Sequence, residues 1–207
     1  MFKNKLYICI LLVGLTVFFN SCKKDTLLLE ENFDTNSNHW DTFESKLMYS
    51  RIENGKWVMS NKMDNVTNLS LIYSDLLTKN ICITVSVKAD RFYGEKGAAG
   101  LILFADNQKF PENYIFFGVN AENELVLSYE SKNPALAQTF YKQKNNACKI
   151  HQFNEFSAVT DKTSIQFLIN EKPFIAIKKP ENLGNFYGFI VLNSQITADD
   201  LRVKLSK

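Results

Sequence analysis

Short apolar segments with a period of two recur along most of this chain, and polar clusters separate them. In "ICITVSV", residues 81–87, isoleucine and valine alternate with cysteine, threonine and serine. Alternation of this kind places one set of side chains on each face of a β-strand. The connections "ENGK" and "NAENE" have the glycine and asparagine content of hairpin turns. The pattern predicts an all-β protein in which two antiparallel sheets pack against each other.

The predicted strands are short, and one domain accommodates all of them. A chain of 207 residues fits a single core, and its 17 Phe and 8 Tyr favour strands over helices. Only "NPALAQ", residues 133–138, resembles a short helical turn. The predicted strands are 28–33, 47–53, 56–61, 69–73, 81–89, 98–105, 114–119, 124–129, 139–142, 154–160, 164–169, 172–178, 186–193 and 198–205.

The amino terminus has the pattern of a secretion signal. "MFKNK" is positively charged, and residues 6–19 are almost continuously apolar, which is shorter than the roughly 20 residues that span a bilayer. The following "FNSC" resembles the lipobox of bacterial lipoproteins, and "SCKKD" resembles lipoproteins of the Bacteroidota. This resemblance implies cleavage before Cys22, diacylglycerol on its sulfur and acylation of the new amino group. A secreted protein in which Cys22 has no role is the alternative.

These features predict the organisation and location of the protein. A signal peptide occupies 1–21, a short tether that starts at the lipidated Cys22 occupies 22–28, and one domain occupies 29–207. Lipid chains such as palmitate on Cys22 would attach the protein to the bacterial outer membrane. Both the periplasmic and the surface-facing orientation stay open.

Charge and cysteine content exclude other classes of function. Removal of the leader takes away Lys3 and Lys5, so 24 − 2 = 22 basic residues balance 22 acidic ones, and no basic surface for nucleic acid is expected. Two cysteines, Cys82 and Cys148, remain in the predicted domain. A disulfide between them and two separate thiols are both compatible with an oxidising compartment. The sequence lacks the paired Cys and His motifs of a zinc site.

Several segments resemble a known family in their joint order. They are "ENFDTNSNHW", "ENGKWVM", "GAAGLILFAD" followed by "NYIFFGVNAENELVL", "NEFSAVTDKTSIQFLINEKPFIAI", and "ADDLRVKL". Over residues 29–205 they resemble the concanavalin A-like, LamG-type jelly-roll domains of bacterial surface proteins. The resemblance implies a two-sheet antiparallel sandwich, and relatives of this fold often bind glycans on a curved outer surface.

Aromatic residues are the candidate ligand contacts. Trp40 and Trp57 occupy positions where the family has framework aromatics, so packing in the core is their preferred interpretation. Tyr93 in "DRFYGEKG" and Tyr114 after "DNQKFPEN" adjoin polar loops, which predicts that they are exposed and available to stack on a sugar.

Catalytic motifs are missing from the sequence. Hydrolases of this family carry Glu-x-Asp-x-x-Glu on one strand, so that alternate carboxylates face one cleft. Here Glu124 and Glu130 are separated by apolar residues, serine and tyrosine, and the only histidines, His39 and His151, lie in loop-like segments. We expect no enzymatic activity.

A calcium site is a further hypothesis. "DTNSN", residues 34–38, has oxygen-bearing side chains at alternate positions, but His39 and Ser45 stand where an EF-hand needs glycine and glutamate. Jelly-roll carbohydrate modules frequently hold a structural calcium between an early loop and a late aspartate, so the resemblance implies Asp34 and Asp200 as a pair. A simple Asx turn explains the same residues. No other cofactor is expected.

The leading functional hypothesis is therefore a lipid-anchored, non-catalytic module that binds glycan in the cell envelope. A structural or protein-binding lipoprotein, such as an accessory subunit or an immunity-type factor, is the alternative, and a glycoside hydrolase is the third.

Overall fold

A computed structural model describes residues 26–75 and 79–206, which form fifteen strands in two antiparallel sheets. The strands are β1 (Leu27–Glu31), β2 (Phe43–Glu44), β3 (Met48–Ile52), β4 (Trp57–Asn61), β5 (Thr67–Tyr73), β6 (Ile81–Phe92), β7 (Ala98–Ala105), β8 (Asn113–Asn120), β9 (Glu124–Ser131), β10 (Gln138–Lys144), β11 (Asn154–Thr160), β12 (Ser164–Ile169), β13 (Lys172–Lys178), β14 (Phe186–Leu192) and β15 (Ser194–Leu205).

The strand order divides the chain into two sheets. Sheet A has nine strands in the order β13-β12-β11-β6-β15-β4-β3-β2, with β1 beside β15. Sheet B has six strands in the order β10-β9-β8-β7-β14-β5. The all-β prediction is confirmed, and every predicted strand is present with small shifts at its ends. Strand β2 was not predicted because two residues are too few to show any periodicity.

Along each alternating strand, one set of apolar side chains points into the space between the two sheets. Phe117 of sheet B packs edge-on against Phe156 and Phe167 of sheet A, with ring centroids 5.0 Å apart in both pairs. Such pairs stabilise the core by more than their buried area alone. Trp40 and Trp57 lie fully inside, so their prediction as core residues is confirmed.

A buried carboxylate organises the loop after β1. Glu31 is only 1% exposed, and it accepts hydrogen bonds from the Phe33 amide at 2.8 Å, the Asn38 side chain at 2.6 Å and the Trp40 indole at 3.3 Å. A buried charge is tolerated only when it is hydrogen-bonded in this way. Phe33 and Trp40 can then pack on Trp57 and close one end of the core.

The two cysteines of the domain lie in different layers, and no disulfide joins them. Alternation directs Cys82 to the outer face of sheet A, where its sulfur is 3.6 Å from the Thr84 hydroxyl. Cys148 packs against the core instead, and burial raises the pKa of its thiol to about 11.

The predicted signal peptide and Cys22 lie outside the described residues. Within residues 26–75 and 79–206, no helix has the length and apolar character that crossing a bilayer requires.

Candidate functional site

The outer face of sheet B is apolar, although it points away from the core between the sheets. Alternation directs one set of aliphatic and aromatic side chains outward, and they form a second buried cluster. Ile102 is 0% exposed and Ile190 is 7% exposed. An antiparallel sheet with one solvated face normally carries polar residues there. The members of the cluster are Leu71, Ile102, Ala105, Phe116 and Ile190, with Leu69, Tyr114, Val126 and Phe186 packed against them.

The loop between β7 and β8, residues 106–112, lies over this face and reaches β5. The Asn107 side chain accepts the amides of Lys109 at 2.9 Å and Phe110 at 3.1 Å, which folds the loop on itself. The Gln108 side chain donates to the Leu71 carbonyl at 3.0 Å and so attaches the loop to β5. The loop presents Phe110 with 80% of its surface exposed.

A groove of about 510 Å³ lies between this loop and the sheet. One wall is mainly aliphatic and consists of Thr67, Leu69 and Ile190, while the loop contributes residues 109–112. The remaining wall is polar and consists of Tyr114, Glu130, Ser131 and Lys132. The volume falls within the range of roughly 300–1,000 Å³ that is typical of small-molecule sites.

The polar wall has a defined hydrogen-bonding character. Tyr114 and Glu130 lie directly opposite each other on β8 and β9, and Ser128 donates to the Glu130 carboxylate at 2.6 Å. Burial, assisted by the charge of Glu130, raises the pKa of Tyr114 to about 12. Tyr114 therefore keeps its proton at neutral pH and can donate a hydrogen bond to a ligand. At the groove entrance Lys132 pairs with Glu112 at 2.5 Å.

The two tyrosines predicted as ligand contacts lie on opposite sides of the molecule. Both rings are half-buried, so the prediction that they are exposed is wrong, and Tyr114 lines the groove on sheet B. Tyr93 follows β6 and lies on the outer face of sheet A, where its hydroxyl is 3.1 Å from Ser60 Oγ and donates to Gln195 at 3.0 Å. The two rings therefore cannot form one binding platform.

Sequence reasoning missed most of the groove. Glu130 was considered only as a catalytic group, and Leu69, Phe110 and Ile190 were not considered. A usable signal was present, because "GLILF", "IFFGV" and "FIVL" are continuous apolar runs, which indicate strands that are buried on both faces.

The residues of the calcium hypothesis are engaged in local turns. Asp34 accepts a hydrogen bond from the Asn32 side chain at 2.7 Å, and Asn36 bonds both the amide and the carbonyl of Trp40. Asp200 lies in β15, where its amide donates to the Asp199 side chain at 3.0 Å. Across residues 26–75 and 79–206, no three His, Cys, Asp or Glu side chains are grouped to hold a metal ion. The Asp34 and Asp200 pair stays a prediction.

Comparison with known proteins gave matches by structure only. No family model matches the chain, and no curated protein matches its sequence.

Solved structures with the same architecture are numerous. A carbohydrate-binding module, CBM66 from Bacillus subtilis, has a TM-score of 0.58 at 13% identity and covers 83% of this chain and 99% of its own. The catalytic domain of a laminarinase, an endo-1,3-beta-glucanase from Thermotoga petrophila, has a TM-score of 0.61 at 11% identity, with 88% and 98% covered. A Bacillus subtilis protein of unknown function with a galectin-like fold has a TM-score of 0.59 at 13% identity, with 88% and 98% covered. At these identities the likeness concerns the fold alone: the chain is a two-sheet antiparallel jelly-roll sandwich, and its structural neighbours include carbohydrate-binding, glucanase and galectin-like domains.

Proposed function

We propose that this protein is a lipid-anchored, non-catalytic component of the bacterial cell envelope that binds glycan in the groove on the outer face of sheet B. The observation that carries the proposal is the groove itself, in which Phe110 is exposed over an apolar floor and Tyr114 and Glu130 face the same space.

The chemistry of the groove suits a sugar. An exposed aromatic ring can cover the C–H face of a pyranose, and a carboxylate beside a protonated phenol offers an acceptor and a donor for hydroxyl groups. A carbohydrate-binding module is among the structural neighbours, and it agrees with this class of ligand.

A non-catalytic role agrees with the sequence of β8, the strand that contributes Tyr114 to the groove. The outward positions of β8 are Tyr114, Phe116 and Gly118, so alternate carboxylates do not line up along it. Paired carboxylates about 5 Å apart are what a retaining glycosidase needs. Because glucanases also share the fold, turnover of aryl glycosides that single carboxylate substitutions abolish would contradict this part of the proposal.

A glycan array with the full-length chain in detergent tests the binding. Phe110→Ala and Glu130→Gln should each reduce the signal at least tenfold, since one removes the stacking ring and the other weakens the hydroxyl acceptor. Tyr93→Phe on the opposite sheet is the matched control and should leave the signal unchanged. Undiminished binding by both groove variants would reject the groove as the site.

Metabolic labelling with palmitate tests the anchor. Cys22→Ser removes the only sulfur available for lipid transfer at the proposed cleavage site, so labelling and membrane association should both be lost. Continued labelling of that variant would overturn the lipoprotein assignment.

A protein-binding lipoprotein is the second candidate function, and the 80% exposure of Phe110 favours it as well. Pull-down from envelope extract separates the two. A stoichiometric protein partner that Phe110→Ala releases, together with an empty glycan array, would establish the second candidate.

A further inference from the structure

The aliphatic wall of the groove suggests which sugars it selects. Leu69 and Ile190 form a direct cross-strand pair on β5 and β14, and both line the groove. Branched aliphatic side chains offer no flat face on which a sugar ring can stack. They do offer apolar surface to a methyl group, which most neutral hexoses lack.

The charges of the groove sum to zero but are arranged unevenly. Lys109 and Lys132 balance Glu112 and Glu130, and Lys132 is already paired with Glu112. Among the described residues, no lysine or arginine pairs with Glu130, whose carboxylate receives only the Ser128 hydroxyl. A carboxylate accepts hydroxyl donors and repels anionic groups. The polar wall therefore favours a neutral sugar over a uronic or sulfated one.

We propose that the groove selects neutral glycans in which the bound sugar carries a methyl group, as 6-deoxyhexoses and N-acetylhexosamines do. The methyl group lies against Leu69 and Ile190, hydroxyl groups face Glu130 and Tyr114, and Phe110 covers the ring. This inference rests on the proposed glycan-binding function and specifies the ligand of the same site.

Matched sugar pairs test the selection. Ligand-observed NMR titrations of the full-length chain in detergent would compare L-fucose with L-galactose, which differ by a methyl and a hydroxymethyl group, and N-acetylglucosamine with glucose. The methyl-bearing member should bind about fourfold tighter, the ratio that corresponds to ~0.8 kcal/mol per buried carbon. Glucuronate should bind more weakly than glucose.

A substitution in the aliphatic wall locates the effect. Ile190→Thr keeps a β-branched residue in the strand but replaces apolar surface with a hydroxyl. The ratio of affinities between the two sugars of each pair should therefore fall from about four towards one. Val58→Thr is the matched control, because Val58 is equally buried on the outer face of sheet A.

The outcomes separate this inference from the proposed function. Tighter binding of L-fucose than of L-galactose, or of N-acetylglucosamine than of glucose, supports the inference. The pair that shows the difference tells whether the groove recognises the methyl group of a 6-deoxyhexose or that of an acetamido group. Equal affinities within both pairs overturn the inference while leaving glycan binding intact, and a preference that survives Ile190→Thr overturns the assigned contact. Failure of every sugar to bind overturns the proposed function and the inference with it.

Discussion

The two outer faces of this sandwich come from the same alternating sequence pattern, yet they differ in chemistry. On sheet A most outward side chains are polar and pair with one another, with apolar exceptions such as Cys82 and Val58. The pairs are Thr84 with Ser157, Thr197 with Asp90, Lys88 with Asp90, Arg202 with Glu155, Lys56 with Asp199, and Tyr93 with both Ser60 and Gln195. On sheet B the outward side chains are mostly apolar and pack under the 106–112 loop.

This difference indicates which of the two faces can bind a ligand. Most polar groups on the outer face of sheet A already pair with one another, although the buried Arg202 Nε has no hydrogen-bond partner, so a ligand there would have to compete with existing hydrogen bonds and ion pairs. The groove of sheet B has an uncompensated carboxylate and exposed aromatic surface, so a ligand can gain contacts without such a loss. Substitutions on both faces test the comparison.

The largest expected effect is on the buried floor of sheet B. Ile102→Ala should lower the free energy of unfolding by about 2–4 kcal/mol, since Ile102 is fully buried although it faces outward. Thr84→Ala, at an outward position of sheet A, removes a 3.0 Å hydrogen bond and should cost about 1 kcal/mol. Urea denaturation measures both values. Equal losses would mean that the outer face of sheet B is not a second core.

A smaller effect is expected at alkaline pH. Because burial raises the pKa of Tyr114 to about 12 while the unfolded value is about 10, the unfolded state loses this proton first. The stabilisation is therefore complete below pH 10 and declines as pH rises towards 12. A pKa difference of about 2 corresponds to about 3 kcal/mol, which partial exposure of the ring reduces to about 2 kcal/mol.

Tyr114→Phe should remove this part of the alkaline slope, and unfolding measured between pH 9 and pH 12 on both proteins tests it. The other buried tyrosines are common to both proteins and cancel in the difference. Parallel pH profiles would show that Tyr114 is not protected in the groove wall.

The smallest effect is expected in the polar network of sheet A. Tyr93→Phe removes a hydroxyl that bonds Ser60 and Gln195, and it should cost about 1 kcal/mol of unfolding free energy. Tyr49→Phe should cost less, because its hydroxyl is 3.3 Å from Gln195. Neither change should alter glycan binding, and a loss of binding in Tyr93→Phe would move the candidate site to sheet A.

The sequence was sufficient to predict the strands and the sandwich because alternation is a local property. It also predicted that Trp40 and Trp57 pack in the core. It could not predict that Tyr93 and Tyr114 face opposite sides, since adjacency to a polar loop says nothing about which sheet a residue faces. The groove depends on the path of the 106–112 loop, and that path is fixed by a contact between Gln108 and Leu71, 37 residues apart in the chain.

The pairing of β1 with β15 determines how the domain would bear a load. The two strands run antiparallel from Leu27 opposite Lys204 to Glu31 opposite Leu201, and the Leu205 amide donates to the Thr26 carbonyl. A tension that enters through the residues before Leu27 and runs along β1 loads these hydrogen bonds together, in shear, and the buried Glu31 holds the far end of the strand. Tension between residues 26 and 206 would instead peel the pair apart one bond at a time. Single-molecule pulling from residue 26 against Ser194, at the opposite end of β15, should therefore require a larger rupture force than pulling between residues 26 and 206. For the proposed lipid-anchored protein, this geometry would let the domain hold a bound glycan against flow.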